Sequence, residues 1–200
     1  MKLYDISREL FTAEGYPGDP APHWDLLQRI DTGDEYNLSA FTTCTHRATH
    51  VDAPSHYVED GTTIDRLPLE PFVGPCTVLS VEGLLTGAQI EELLPRCQKR
   101  VLLHGDGSAF LDRSAAFVLA DSGVLLVGTD AISIGSEDDE RAVHLELLGE
   151  NIPILEGLCL DGIPDGDYYL SAPPLKLKGL EAAPCRAVLI DRESTEPLDW

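Results

Sequence analysis

The chain has 200 residues, of which 43% are hydrophobic, and these values predict one compact domain over residues 1–200 with room for a core and a pocket. Its 14 basic and 35 acidic side chains give a formal net charge of −21, which disfavours a nucleic-acid partner because phosphate binding relies on basic surface. The first residues lack the apolar core of a secretory signal, and no stretch approaches about 18 apolar residues, so we expect a soluble, cytoplasmic protein without membrane contact.

Hydrophobic patterning predicts a mixed α/β chain with more strand than helix. A capping box, Thr86-x-x-Gln89, marks the start of the first helix. The two other predicted helices span residues 112–122 and 137–148. The predicted strands cover residues 3–6, 35–45, 72–81, 101–104, 124–128, 152–160 and 186–191.

Three of the six histidines and an aspartate fall within eleven residues, in His46-Arg-Ala-Thr-His50-Val-Asp52-Ala-Pro-Ser-His56. Pro54 argues against a helix, whereas an extended chain turns all four side chains to one side because their offsets are even. We therefore predict a strand that runs into a turn near Pro54. Neutral imidazole and carboxylate are ligands for zinc, manganese and iron, and two histidines with one aspartate leave coordination positions open. The segment thus predicts a catalytic metal site.

Two further candidates lie in the second half of the chain. Glu156 is alone in the apolar run of residues 152–160, and a buried carboxylate is costly unless it is paired, protonated or bound to a metal. Arg186 is the alternative partner that would give Glu156 a structural role. His144 lies in the last predicted helix, with Ser136 as the N-cap, and its apolar neighbours indicate an inward position. By itself such a histidine is more often a core residue than a ligand.

The segment His46-x-Ala-Thr-His50-x-Asp52-x-Pro54-x-His56 resembles the H-x-G-T-H-x-D-x-P-x-H signature of the metal-dependent cyclase family, whose members include bacterial kynurenine formamidases (arylformamidases). The resemblance extends over most of the chain. Other segments in the family's order are Tyr16-Pro-Gly-Asp-Pro20, Asn37-Leu-Ser39, Gly128-Thr-Asp130, His144 twelve residues before Glu156, Pro174-Leu-Lys176 and Pro184-Cys-Arg186.

The resemblance implies a swivelling β/β/α-like fold, a barrel-like mixed sheet flanked by helices, that assembles as a homo-oligomer, a dimer or tetramer. It also implies a binuclear centre in which His46, His50 and Asp52 hold one divalent metal. Asp52 then bridges to a second metal held by His144 and Glu156, with two zinc ions expected and manganese as the alternative.

The activity implied by the resemblance is hydrolysis of a small-molecule amide by a metal-activated water, with N-formylkynurenine converted to kynurenine and formate. His56, on the same face but beyond the ligand set, would move a proton to the leaving nitrogen. The alternatives are a hydrolase or cyclase of cyclic amides or lactones, resembling isatin hydrolase, and a non-catalytic metal-binding or metabolite-binding module.

Two other side chains beside the signature offer competing chemistry. A serine nucleophile at Ser55 is weakly supported, because adjacent residues of an extended segment face opposite sides and no G-x-S-x-G elbow occurs. Cys44 is two residues before His46, so in an extended chain its side chain lies on the same side and could reach the metal. The five cysteines are otherwise scattered, which indicates reduced thiols in the core.

Three features around the signature bear on the pocket. Ala48 replaces the signature glycine, and a positive φ there would cost about 1 kcal/mol. Asp130 could orient a ligand histidine or cap a turn. Residues 16–24 could reach a neighbouring subunit. The candidates for aromatic pocket walls are Tyr16, Trp24, Phe41, Tyr57 and Phe72.

Overall fold

The computed structural model describes residues 1–191, which form a mixed α/β structure around one nine-stranded sheet. The predicted fold class, a mixed sheet flanked by helices, is confirmed. The helices are α1 (Gly87–Leu93), α2 (Arg113–Asp121) and α3 (Glu140–Gly149). The strands are β1 (Lys2–Asp5), β2 (His23–Gln28), β3 (Leu38–Thr42), β4 (His50–Asp52), β5 (Val73–Ser80), β6 (Leu84–Leu85), β7 (Arg100–His104), β8 (Phe110–Leu111), β9 (Leu126–Thr129), β10 (Ile154–Glu156), β11 (Gly166–Ser171), β12 (Ala182–Pro184) and β13 (Val188–Asp191). No helix within residues 1–191 combines the length and the apolar character needed to cross a bilayer.

The large sheet has the order β1-β13-β11-β5-β7-β9-β10-β4-β12. Its centre, β5 to β10, is parallel because α1, α2 and α3 form the crossovers between successive strands. The strands on both sides of this centre pair antiparallel. β4 therefore lies between β10 and β12, two strands that come much later in the chain.

Apolar side chains cover both faces of the central strands, as is typical of parallel sheets. Leu102 and Leu155 point into one buried cluster, and Val101 and Ile154 point into the other. The second cluster also contains the inward faces of all three helices, so these helices shield one face of the sheet. The core thereby holds β4 and β10 rigidly at the point where the candidate ligands emerge.

Several element boundaries differ from the predictions for local reasons. The predicted strand 152–160 ends at Glu156, because Gly157 takes φ +66°. The last helix begins at Glu140 rather than at residue 137, and its N-cap is Asp139, not Ser136. The capping box at Thr86 and Gln89 is present as predicted. Patterning missed β2, β11 and β12, of which β11 and β12 complete the large sheet.

The hairpin of β2 and β3 forms a separate two-stranded sheet. The predicted strand 35–45 is shortened to β3 here and pairs only with β2. Almost every residue of both strands is exposed, including Trp24 and Phe41. The hairpin therefore presents apolar side chains that the core of its own chain does not cover.

Candidate metal centre

His50 and Glu156 face each other across neighbouring strands. In the antiparallel pair of β4 and β10, Glu156 lies directly opposite His50, and Asp52 lies opposite Ile154. Both strands are buried, so a slip of one residue would turn every ligand candidate to the wrong face. The sheet register therefore brings Glu156 to the signature segment.

The chain before β4 is an irregular turn, and the predicted continuous strand through the signature is wrong. Residues 45–49 form turns and bends, and residues 54–56 form a single turn of 3₁₀ helix. Ala48 takes φ +58°, so the position does require the backbone conformation that glycine adopts most easily. This turn places the Ala48 carbonyl 3.0 Å from His50 Nδ1, which donates to it, so that Nε2 faces Asp52.

The structure brings the ligand atoms of all five predicted metal residues together around Asp52, which is completely buried. Asp52 Oδ1 lies 2.9 Å from His46 Nδ1 and 3.4 Å from His50 Nε2, and Oδ2 lies 3.7 Å from His144 Nε2. Glu156 lies 3.5 Å from His50 Nε2 through Oε2 and 3.4 Å from His144 Nε2 through Oε1.

Several of these converging atoms have no hydrogen-bond partner. Within the described residues, His50 Nε2 and both Asp52 oxygens have no hydrogen bond of good geometry, although imidazole and carboxylate atoms lie 2.9–3.7 Å from one another. A buried polar atom without a partner costs about 1–3 kcal/mol, so such a cluster is unstable unless something satisfies it. The donor set of imidazoles and carboxylates fits a divalent metal, and the arrangement therefore supports a metal centre.

Helix α3 positions His144. Its Nδ1 donates to the carbonyl of Glu140 one turn earlier, at 2.7 Å, which aims Nε2 at Asp52 and Glu156. The Tyr57 ring stacks on the imidazole, with centroids 4.6 Å apart. These two contacts fix the ring on both sides, so the buried His144 is held in place for coordination.

His56 lies closer to the centre than the sequence suggested. Its ring centroid is 4.1 Å from that of His46, and one ligand atom each from His46, Asp52 and His56 lie within 4.8 Å of one another. A second such group consists of His50, Asp52 and Glu156. Asp52 belongs to both groups, as a bridging carboxylate must. His56 thus lies directly beside the predicted ligands, close enough to act on a group bound at the centre.

The carboxylates determine the charge of the buried histidines. Burial disfavours the charged form of His144, but Asp52 and Glu156 outweigh it and raise its pKa to about 10. The same balance raises the pKa of His50 well above its usual value. Burial also opposes the ionisation of Asp52, yet the nearby imidazoles hold its pKa well below its usual range. The pKa of Glu156 is lowered by the same imidazoles, against burial and the charge of Asp52.

His56 behaves differently from the buried histidines. Burial lowers its pKa, with the neighbouring imidazoles acting in the same direction, although Asp52 opposes them. An imidazole with a pKa below its usual value is neutral at pH 7. His56 can therefore accept a proton there and pass it on.

Glu181 is a contributor that the sequence analysis missed. Its Oε1 lies 3.4 Å from His46 Nε2 and accepts a hydrogen bond from Thr45 Oγ1 at 2.6 Å. A carboxylate on the far nitrogen of a histidine orients the ring and makes it a better ligand. No local pattern indicates this role, because Glu181 is far away in the chain and arrives beside β4 only through β12.

A pocket of about 280 Å³ opens above the centre. Tyr16 and Tyr57 line it as predicted, whereas Phe72 lies in the core and Trp24 and Phe41 lie on the exposed hairpin. Ser133 was also missed by the sequence analysis, and its buried hydroxyl has no hydrogen-bond partner within residues 1–191. The other lining residues are Asp19, His46, His50, His56, Ile132, Glu140, His144 and Glu156.

The alternative roles raised by the sequence are resolved by contacts elsewhere. Arg186 pairs with Asp5, so it does not neutralise Glu156. The Cys44 thiol donates to Asp19 at 3.4 Å, and Ser55 does not line the pocket. Asp130 accepts from the Gly105 amide and lies 3.9 Å from His104, so it neither contacts a predicted ligand histidine nor caps the turn that follows it.

A second group of possible ligands consists of His104, Asp106 and Asp161. Both carboxylates are exposed, and exposed acidic groups commonly occur without a metal. A surface cleft of about 720 Å³, larger than the pocket, is lined by Arg8, Thr49 and Arg186 among others. It contains none of the predicted site residues, so the converging ligands, not cavity size, identify the functional site.

Comparisons with known proteins point in the same direction. The model of the Cyclase family matches residues 4–136. A kynurenine formamidase from Salinibacter ruber (strain DSM 13855 / M31) is 39% identical over 208 aligned positions, which cover 96% of this chain and 98% of that protein.

Solved structures share the fold over nearly the whole chain. A potential metal-dependent hydrolase with cyclase activity is 32% identical with a TM-score of 0.78, covering 96% of this chain and 98% of its own. Isatin hydrolase A from Labrenzia aggregata, bound to benzyl benzoate, has a TM-score of 0.80 at 22% identity, covering 94% and 92%. At that identity the likeness concerns the fold alone.

Proposed function

The chain belongs to the cyclase family, and we propose that it is a metal-dependent hydrolase of the kynurenine formamidase type. Its substrate is an N-formylated aromatic amine such as N-formylkynurenine, which it cleaves to the free amine and formate. The observation that carries the proposal is the convergence of four other ligand residues around the buried Asp52, with buried ligand atoms that lack well-formed hydrogen bonds. The full-length similarity to a kynurenine formamidase supports the substrate class.

The centre is proposed to hold two zinc ions, with manganese as the alternative. Asp52 belongs to both groups of neighbouring ligand atoms. The proposed ligands beside it are His46, His50 and Glu156, together with His144, whose Nε2 lies 3.7 Å from Asp52 and 3.4 Å from Glu156. When bound, the metal supplies Lewis acidity, which polarises a carbonyl and lowers the pKa of bound water to about 7. Carboxylates and imidazoles bind both zinc and manganese, so the ligand types do not distinguish the two metals.

His56 is proposed to move the proton that the reaction requires. Cleavage of an amide leaves a nitrogen that must gain a proton, while the attacking water must lose one. His56 is neutral at pH 7 because burial lowers its pKa, and it lines the pocket beside His46. It accepts the proton of the attacking water and returns it to the leaving nitrogen. No covalent bond to the protein is needed.

The pocket walls suit a flat aromatic substrate. Tyr57 stacks on His144 and is itself fixed by an edge contact with His56, with centroids 4.5 Å apart. Tyr16 lines the same pocket, and a volume of about 280 Å³ accommodates one substituted ring. The buried hydroxyl of Ser133, which has no hydrogen-bond partner among the described residues, can donate a hydrogen bond to a substrate carbonyl.

The test is hydrolysis of N-formylkynurenine by the zinc- or manganese-loaded protein, with His56→Ala as the comparison. We expect the parent protein to turn over the substrate and the variant to lose about 100-fold or more while retaining its metal by elemental analysis. Unchanged turnover in the variant would remove His56 from the mechanism. If the parent protein with its full metal content did not turn over N-formylkynurenine, cyclic amides and lactones would become the expected substrates.

We also propose a homo-oligomer in the cytoplasm. The exposed apolar hairpin of β2 and β3 is a surface suited to a second copy, because it carries the exposed rings of Trp24 and Phe41. All five cysteines are free thiols, which agrees with a reducing compartment. We expect neither nucleic acid nor a membrane as a partner, because the net charge is −21.

A further inference from the structure

Residues 13–16, which we call the strap, lie beside the pocket and end at Tyr16, one of its aromatic walls. Within residues 7–20 no residue is buried, and none belongs to the two apolar clusters of the core. A segment without buried apolar contacts depends on polar contacts for its position, and such segments are among those that open most easily. The hydrogen bonds of the strap therefore determine where Tyr16 lies.

Arg47 holds the strap from the side of the signature turn. Its Nη2 donates to the Ala13 carbonyl. A Cβ added to Gly15 would overlap Nη1 and lie 3.0 Å from Cζ, so the backbone of the strap packs directly on the guanidinium. The arginine salt bridges within residues 1–191 do not include Arg47, and its buried Nε has no hydrogen-bond partner there. The positive charge of Arg47 is therefore directed at the strap and not at a carboxylate.

The second contact of the strap lies on the opposite side of the pocket. The Tyr16 hydroxyl donates to Glu140 Oε2 at 2.7 Å. The backbone carbonyl of the same Glu140 accepts from Nδ1 of His144, a predicted metal ligand. Arg47 directly follows another predicted ligand, His46, in the turn before β4. The strap thus joins two ligand-bearing elements, the signature turn and α3, across the pocket.

The strap also separates the pocket from the larger surface cleft. A gap of about 10 Å³ lies beneath it, lined by Gly15 and Tyr16 of the strap and by His46 and Ala48 of the signature turn. Such a gap has room for about one water molecule. Tyr16 and His46 also line the pocket, whereas Ala48 also lines the cleft of about 720 Å³. Displacement of the strap would therefore join the pocket to the cleft and remove the wall that Tyr16 forms.

We propose that Arg47 is a positioning residue, whose guanidinium holds the strap against the pocket and so places Tyr16 where it contacts the substrate. The effect on catalysis rests on the proposed function, whereas the contact between Arg47 and the strap does not. Arg47 is not among the residues that line the pocket, so it acts through Tyr16. The family signature leaves the position of Arg47 open, as the second residue of H-x-G-T-H, so this contact is a feature of the present chain.

Hydrogen exchange of the zinc-loaded protein, measured by mass spectrometry on peptides that cover residues 9–20, tests the contact without a substrate. We expect Arg47→Ala to accelerate exchange in these peptides about tenfold, because the strap loses a hydrogen bond from a charged donor. Arg113→Ala is the matched control, since Arg113 is paired with Glu146 on the surface of α2 and does not line the pocket. Exchange of residues 9–20 that is equal in Arg47→Ala and the parent protein would overturn the proposal.

Steady-state kinetics measure whether Arg47 acts through Tyr16. Arg47→Ala should raise KM for N-formylkynurenine about tenfold and change kcat by less than about threefold, because the metal ligands and His56 stay in place. A double-mutant cycle with Tyr16→Ala assigns this effect. In the Tyr16→Ala background, replacement of Arg47 should raise KM no further. A full additional increase in KM there would show that Arg47 does not act through Tyr16.

Two further variants keep the test decisive if Arg47→Ala loses its metal or its fold. Arg47→Lys retains a positively charged donor, so KM should return to within about threefold of the parent value. Gly15→Ala keeps Arg47 but places a methyl group where its guanidinium lies, so it should raise both KM and strap exchange as Arg47→Ala does. Gly149→Ala is the control, because a Cβ added there would meet nothing within 4 Å. If Gly15→Ala changed neither quantity, the proposed contact would be unimportant.

The outcomes separate the role of Arg47 from the proposed function. Faster strap exchange in Arg47→Ala, without hydrolysis of N-formylkynurenine by the metal-loaded parent protein, would keep the contact and remove the formamidase. Hydrolysis with equal KM values in the parent protein and in Arg47→Ala would keep the formamidase and overturn the positioning role.

Discussion

Ala48 is the residue at which the signature is under the most local strain. Its φ of +58° lies in the left-handed region, where a side chain costs about 1–2 kcal/mol, and the family signature has glycine there. The strain is retained because this turn aligns the Ala48 carbonyl with His50 Nδ1. The sequence already marks the same position as a departure from the signature.

Replacing Ala48 by glycine should stabilise the protein. Relief of the left-handed strain exceeds the extra unfolded-state entropy of glycine, so we expect Ala48→Gly to gain about 0.5–1 kcal/mol in urea unfolding. Ala53→Gly is the control: Ala53 is buried with φ −99°, and its replacement should destabilise the protein by about 1 kcal/mol. A loss of stability in Ala48→Gly would show that this φ carries no strain.

The protonation of the metal-free ligands predicts how metal binding responds to pH. The raised pKa values of His50 and His144 keep both imidazoles protonated at pH 7, and each must lose its proton to coordinate. Zinc binding at pH 7 should therefore release about two protons, and affinity should rise with pH until about 10, where His144 loses its proton.

Calorimetry in buffers with different ionisation enthalpies measures this proton release. His144→Ala should release about one proton fewer, whereas His23→Gln, on the exposed hairpin, should behave like the parent protein. Proton release that does not change with His144→Ala would contradict the assigned charge state.

At the scale of elements, the contact between the signature turn and β10 determines whether the ligands meet. Gly157 follows Glu156 with φ +66°, and a Cβ on it would lie 2.2 Å from the Ala48 carbonyl oxygen. The Thr49 hydroxyl donates to the Gly157 carbonyl at 2.6 Å and accepts from the Arg8 amide, which ties the two segments to the N-terminal region. The turn and β10 are therefore packed backbone against backbone.

Gly157→Ala should push these segments apart. Left-handed strain and the clash with Ala48 together should cost about 2–4 kcal/mol and reduce the metal content of the purified protein. Gly162→Ala is a matched control, since Gly162 has φ +72° but a Cβ added to it would meet nothing within 4 Å, and it should cost about 1 kcal/mol with full metal content. Comparable effects of the two variants would mean that the close approach is unimportant.

The sequence predicts the candidate ligands better than it predicts the segment that carries them. The central strands and all three helices follow from apolar patterning and caps, because those signals are local. The signature is predicted to form one extended face, yet its side chains converge through a left-handed turn, a short strand and a 3₁₀ turn. Glu181 and Ser133 reach the site through tertiary packing, which leaves no periodic trace in the sequence.

At the scale of the whole molecule, the hairpin of β2 and β3 is the least integrated part of the described chain. Its strands pair only with each other, and its apolar side chains are exposed, with Trp24 at 52% and Phe41 at 58%. A patch of this kind favours association. We therefore expect the hairpin to form the proposed contact between copies.

A double variant, Trp24→Ser with Phe41→Ser, should dissociate the oligomer into monomers without loss of secondary structure. Light scattering coupled to size exclusion measures the mass directly. Phe117→Ser is the control, because Phe117 is 61% exposed on α2, away from the hairpin. An oligomer that persists in the double variant but dissociates in the control would place the interface on the helices.

The position of β4 between β10 and β12 also governs when the site can exist during biosynthesis. Both neighbours of this strand are encoded late, so the histidine-rich segment leaves the ribosome long before any strand that can pair with it. During that interval its imidazoles are available to any metal in the cell but lack Glu156 and Glu181. We therefore expect metal to be retained only after synthesis is complete, and a truncated chain that ends before β12 should be both incompletely folded and unable to retain metal.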